Sequence, residues 1–195
     1  MAKLAIILPH DNLASAAALL LQEMHMEHVP IIHFSGNPEE IPYLVDWAKK
    51  QGAEIILTRG LIATRARRFS NISVVEMRSS AQELGLLIQK AKELIRKKDP
   101  VIALVGTANM FSDYSRLGEL FGVTLLSYLI PQDNPDPYSS LEKLALQAIE
   151  DRADLVIGGN TACRTAQENS VPYLFLAATE ESLREGLRLA RRISY

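Results

Sequence analysis

Arg59, Arg78 and Arg164 stand in or just after short polar turns rich in glycine and hydroxyl residues. A guanidinium fork matches a carboxylate or phosphate. A glycine beside it lets backbone N–H groups come close to the same anion, and a helix that begins there adds unpaired N–H donors. The turns are Pro9-His10-Asp11, Ser35-Gly36-Asn37, Thr58-Arg59-Gly60, Arg78-Ser79-Ser80, Gly106-Thr107-Ala108-Asn109, Gly158-Gly159-Asn160-Thr161 and Ala178-Thr179. The candidate ligand contacts are His10, Asp11, Thr58, Arg59, Gly60, Arg78, Ser79, Ser80, Gly106, Thr107, Asn109, Gly158, Gly159, Asn160 and Thr161. Singly, each is also an ordinary turn or cap residue, so convergence of several on one cleft is what would make a site.

Other chemistries are incomplete. Gly106-Thr107-Ala108-Asn109 is expected to follow a strand and open a helix, yet it has the spacing of neither a dinucleotide fingerprint nor a P-loop. His25 and His28 are spaced for one helix face with His33 nearby, but Met24 and Met26 interleave and no cysteine or carboxylate completes a metal set. Neither a metal nor a cofactor is expected. Ser15 or Ser80 as a nucleophile would need His10 and Asp11 in reach, and no nucleophile elbow is present. Cys163 falls in a predicted first helical turn, where a thiol pKa can drop. It is the sole cysteine, which excludes an intrachain disulfide, and its counterpart in the internal repeat is Ala63. A paired-cysteine racemase mechanism therefore lacks its second group, and a buried small hydrophobe is the simpler role.

The elements that would carry these turns are legible as apolar runs: Leu4 to Leu8, Val29 to Phe34, Glu54 to Thr58, Ile72 to Met77, Val101 to Val105, Val123 to Leu129, Asp154 to Ile157 and Tyr173 to Leu176. Near-continuous apolar runs mark parallel strands covered on both faces. Between them lie segments of helical period such as Leu84, Leu87, Ile88, Ala91 and Ile95, with N-cap candidates at Asp11, Ser79 or Ser80, and Thr179. The pattern is eight βα units. Ala53-Glu54-Ile55-Ile56-Leu57 is echoed by Ala153-Asp154-Leu155-Val156-Ile157, each followed by a glycine-containing turn and a helix with Ala66 or Ala166 in register. The strands divide four and four near Asp99-Pro100, where the proline is expected to stop a helix. An α/β chain of two similar parallel-sheet lobes, each an α/β/α sandwich, is expected: 1–79 and 80–179, with the final helix, 180–195, able to pack back on the first. A single eight-stranded barrel would need about 250 residues. The segment from Pro131 to Pro137 reads as a long connection. In open parallel sheets ligands bind beyond the carboxyl ends of the strands, which is where the turns above fall.

A formal net charge of −2 opposes nucleic acid as the main partner. The basic clusters Arg65, Arg67, Arg68 and Arg96, Lys97, Lys98 read as solvated helix ends. No apolar run approaches the roughly 20 residues that span a bilayer. Met1-Ala2-Lys3 leads straight into a strand, leaving no room for a signal peptide, so a cytoplasmic location is expected.

The run Ile55-Ile56-Leu57-Thr58-Arg59-Gly60, then Ile72-Ser73-Val74-Val75-Glu76-Met77 and a long helix from Ser80 to Leu94, resembles the centre of PrpR-type sensor domains of propionate-catabolism activators. So do Ala153 to Asn160 and the tail from Ala178-Thr179-Glu180-Glu181-Ser182-Leu183 to Ala190-Arg191-Arg192. The resemblance implies a chelatase-like pair of lobes with a ligand cleft between them, sensing a small anionic metabolite. It further implies a downstream AAA+ ATPase that drives sigma-54 transcription, a separate DNA-binding domain, and a homo-oligomer. It implies no nucleic-acid or membrane contact by this domain and no catalysis. One departure stands out: Ser80-Ala81-Gln82-Glu83 replaces a Ser-Gly-Tyr-Asp-like turn, so the family's 2-methylcitrate is not carried over as the ligand. Two rivals remain. One is a lyase or isomerase of the same architecture, with Arg59 orienting a small acid and His10 as base. The other is a ligand-independent dimerisation module that uses an exposed apolar face of the last helix (Leu183, Leu187, Ala190).

Overall fold

The computed structural model describes residues 3–9 and 13–193. In chain order the elements are β1 (Leu4–Leu8), α1 (Ala14–Glu23), β2 (Ile31–His33), α2 (Ile41–Lys50), β3 (Ile55–Thr58), α3 (Gly60–Phe69), β4 (Ser73–Glu76) and α4 (Ala81–Ile95). There follow β5 (Val101–Thr107), α5 (Leu117–Phe121), β6 (Thr124–Ile130), α6 (Pro137–Glu150), β7 (Leu155–Gly158), α7 (Asn160–Glu168), β8 (Tyr173–Phe175) and α8 (Glu180–Ile193). The strands form two four-stranded, all-parallel sheets, ordered β2-β1-β3-β4 and β6-β5-β7-β8. The chain divides into two compact units, residues 1–78 with 178–195, and residues 79–177.

Unit 1 is a sheet with helices on both faces. Alternation along β1 sends Leu4, Ile6 and Leu8 to a core shared with α1 and α8, and Ala5 and Ile7 to one shared with α2 and α3. Helix α8 supplies Leu183, Leu187 and Ala190 to the first core, all at 0% exposure. Their spacing makes one stripe, and each buried leucine contributes about 1.5–3 kcal/mol. The expectation that this stripe is an exposed dimerisation face is therefore corrected. It covers the β3–β4 side of the sheet, which would otherwise be left bare.

Unit 2 repeats the plan. Helix α4 places Leu84, Ile88 and Ala91, again fully buried, on Ile102, Leu104, Leu155 and Ile157. Strand register makes the correspondence residue by residue. Leu4 pairs with Ile55 as Ile102 pairs with Leu155, and Thr58 pairs with Glu76 as Gly158 pairs with Phe175. Thr58 thus matches Gly158, and Glu76 matches Phe175. Buried Ala66 and Ala166 hold equivalent places in α3 and α7.

Several local expectations change. Gly106 and Thr107 belong to β5, and a 3-10 turn, Ala108–Met110, follows them in place of an α-helix. The chain there bonds to Ser79 instead: Ser79 N–H donates to the Met110 carbonyl (2.8 Å) and Ser112 N–H to the Ser79 carbonyl (2.9 Å). Helix α1 ends at Glu23 and His25 is left-handed (φ 55°), so His25 and His28 do not share a helix face. Helix α4 stops at Ile95, where Arg96 turns left-handed (φ 50°), before Pro100 can act. No helix among the described residues is long and apolar enough to cross a membrane.

Candidate functional site

At the carboxyl end of the unit 1 sheet, the polar groups bond to one another. Thr58 Oγ1 donates to the Ile7 carbonyl across the sheet (2.8 Å). Arg59 is extended (φ −147°) and only 4% exposed, and Gly60 opens α3 with φ +57°, where a side chain would be strained. The Gly60 N–H, expected to face a ligand anion, donates to Glu76 Oε1 at 3.2 Å. Glu76 is the last residue of β4 and 7% exposed, and its Oε2 accepts from Arg67 Nη1 at 3.0 Å. The chain's own carboxylate thus caps α3, and its charge is met by the helix end and by a guanidinium. Arg67 is consequently no solvated-face residue, which corrects that reading of the 65–68 cluster.

The other unit 1 turns are also locally committed. Asn37 caps a short 3-10 turn by accepting from Glu39 N–H at 3.1 Å, and Glu40 accepts from Ser35 N–H. Arg78 is exposed at the end of the unit. His10 and Asp11 lie outside the described residues.

Unit 2 begins with Ser79, fully buried, and Ser80, which forms a capping box with Glu83. Glu83 N–H donates to Ser80 Oγ (3.1 Å) and Ser80 N–H to Glu83 Oε2 (2.6 Å). At the sheet's carboxyl end the arrangement differs from unit 1. Gly158 replaces Thr58, and a methyl group on it would meet the Val105 carbonyl oxygen at 2.6 Å and Ala162 Cβ at 2.7 Å. The glycine is there for close strand–helix packing. Gly159 caps α7 without a side-chain hydrogen bond, and nothing lies within 4 Å of where its Cβ would be. Asn160 is exposed and Thr161 buried, the latter accepting at its carbonyl from Thr165 Oγ1 (2.9 Å). Thr107 is 0% exposed and is the N-cap of the Ala108–Met110 turn, its N–H donating to Met110 Sδ at 3.4 Å. Asn109 Nδ2 donates to Gln132 Oε1, tying the turn after β5 to the loop after β6.

Cys163 follows on α7. Burial pushes its thiol up to about 11, against a smaller lowering effect of the Gly158 backbone. The helix N-terminus does not make it a thiolate. Glu76 is not among the candidate ligand contacts, although it is the one acid in the apolar run Ile72 to Met77. A charge inside a run of buried-strand residues needs a partner, and that was the available signal.

Comparison with known proteins places this geometry. An NtrC family transcriptional regulator from Clostridium acetobutylicum superposes with a TM-score of 0.73 at 17% identity, over 98% of this chain and 95% of that one. The ABC domain in complex with L-Trp from Streptococcus pneumonia gives a TM-score of 0.50 at 11% identity, over 99% and 85%. Likeness at these identities concerns the fold. No match is found among curated proteins. The family model described as propionate catabolism activator matches residues 25–195.

Proposed function

The chain belongs to the propionate catabolism activator family, and from that premise we propose that it senses a small anionic metabolite on behalf of a transcriptional activator. The family match over residues 25–195 carries the reading. The turn at 158–161 supports it, because Gly159 caps α7 without a side-chain hydrogen bond, which suits an anion at that helix end. In this proposal Arg59 and Arg78 of unit 1 and the turns at 106–109 and 158–161 of unit 2 are the candidate ligand contacts. Closure of the units on that ligand is the signal, since a ligand shifts an equilibrium only by preferring one state. The signal passes to a downstream AAA+ ATPase and DNA-binding domain in a cytoplasmic homo-oligomer, while this domain itself performs no chemistry.

Thermal-shift measurement against succinate, citrate and 2-methylcitrate tests the proposal. A ligand at about 100 times its dissociation constant stabilises the fold by about 2.7 kcal/mol, a shift of a few degrees for a chain of this size. Arg59→Ala should abolish the shift. Absence of any shift across the panel defeats the anion-sensing reading. Solution scattering tests the switch separately, and superimposable profiles with and without saturating ligand would remove closure as the signal.

A further inference from the structure

We infer that the outer edge of β6 is a homodimer interface, where two copies of this chain pair their β6 strands antiparallel about a two-fold axis at Ser127. The inference rests on the homo-oligomer proposed above, names a surface for it, and does not depend on which ligand is sensed. Strand β6 is outermost in its sheet and, among the described residues, pairs only with β5. It has seven residues, whereas the other edge strands, β2, β4 and β8, have three, four and three. Shortness, charge and proline are what keep sheet edges from joining. The strand Thr124-Leu125-Leu126-Ser127-Tyr128-Leu129-Ile130 is long, uncharged and free of proline.

Register decides which backbone groups are left over. Thr124 N–H donates to the Pro100 carbonyl (3.0 Å), and the pairing with β5 runs unbroken from Val101↔Thr124 to Thr107↔Ile130. Along a strand the N–H and C=O of one residue point to one side and those of the next to the other. Thr124, Leu126, Tyr128 and Ile130 therefore turn theirs to β5. Leu125, Ser127 and Leu129 turn theirs outward, and Ser127 is exposed. Among the described residues nothing bonds to those outward groups.

The strand that fits this edge is a second copy of itself. With the axis at Ser127, Leu125 of one copy lies opposite Leu129 of the other, and Ser127 lies opposite Ser127. Each such pair exchanges two N–H···O=C bonds, so every outward group is used. The side chains agree. Leu125 and Leu129 meet on the face that packs with α4 and α5, and Leu126 meets Tyr128 on the face where Tyr128 Oη donates to Asp151 at the end of α6 (2.7 Å). No like charges come opposite one another, and the smallest side chain of the strand sits on the axis. With a helix on each face the strip is about 23 Å long and about 30 Å deep, roughly 700 Å². A stable dimer needs about 600–1,000 Å² from each copy.

The test is sedimentation equilibrium of the 195-residue chain, of Ser127→Lys, of Ser127→Glu and of their equimolar mixture. The parent should be dimeric at micromolar to submillimolar concentration. Each variant alone should raise the dissociation constant at least roughly tenfold, because its like charges face each other at the axis. Far-UV circular dichroism of both should match the parent, since Ser127 is exposed. The mixture should dimerise again, since lysine then faces glutamate. In amide exchange of the parent, Leu125, Ser127 and Leu129 should lose protection on dilution while Leu126 and Tyr128 keep theirs. A parent that is monomeric throughout overturns this inference and the homo-oligomer together, and leaves the sensing of an anion standing. A dimer that either variant leaves intact, or a mixture that stays monomeric, overturns the β6 pairing alone. Should a variant not fold, the parent's exchange decides, and dilution that treats residues 125–129 alike overturns the pairing.

Discussion

The carboxyl ends of the two sheets are built on the same register and finished in opposite ways. In unit 1 a threonine, a left-handed glycine and a buried glutamate close a network that Arg67 completes. In unit 2 a packing glycine, an open N-cap and a phenylalanine stand in those positions. Duplicated βα units need the same strand pairing and helix packing, so those parts repeat. The turn beyond the strand is free to differ.

The largest effect should come from breaking the packing that both units share. Leu187→Ala removes a fully buried side chain from the α8 stripe and should cost about 2–5 kcal/mol. Hydrogen exchange should show protection falling first in β3 and β4, with β5 and β7 holding. Equal loss in both units would mean they unfold as one.

Next comes the difference at the matched strand ends. Gly158→Ala forces a methyl against a carbonyl at 2.6 Å and should destabilise by about 1–3 kcal/mol, read as a lower melting temperature. A neutral result would show that β5, β7 and α7 are less tightly held than the distances indicate. Glu76→Gln keeps the shape but removes the charge from between Gly60 N–H and Arg67. A loss of about 1–2 kcal/mol is expected in chemical denaturation, because Arg67 is partly exposed and the pair is partly screened.

The smallest effect concerns Cys163. With its thiol held up to about 11 by burial, the native chain should resist alkylation at pH 8 and react at the ordinary rate once unfolded. Its folded pKa lies above the ordinary value near 9, so its contribution to stability is complete below about pH 9 and is lost as pH rises towards 11. Rapid native alkylation at pH 8 would show that α7 opens readily.

Much of this was legible in residue order. The apolar runs from Leu4 to Tyr173 announce buried parallel strands because a strand covered on both faces cannot alternate with polar residues. The echo between Ala53 and Ala153 announces the duplication, and Ser80 with Glu83 announces a helix start. Among the described residues the candidate turns fall at strand ends or helix starts, for the same reason. Which of their groups are already used was not legible. Glu76 reaches Gly60 across sixteen positions of chain, and Thr58 reaches Ile7 across fifty-one.

The sequence by itself determined the class of fold, the repeat and the residue types offered at each turn, since these depend on local pattern and short-range spacing. Only the tertiary structure decided that α8 covers unit 1 and that Glu76 caps α3. Hydrogen bonds and buried charges are settled by which atoms long-range packing brings within about 3 Å, and no local pattern encodes that distance.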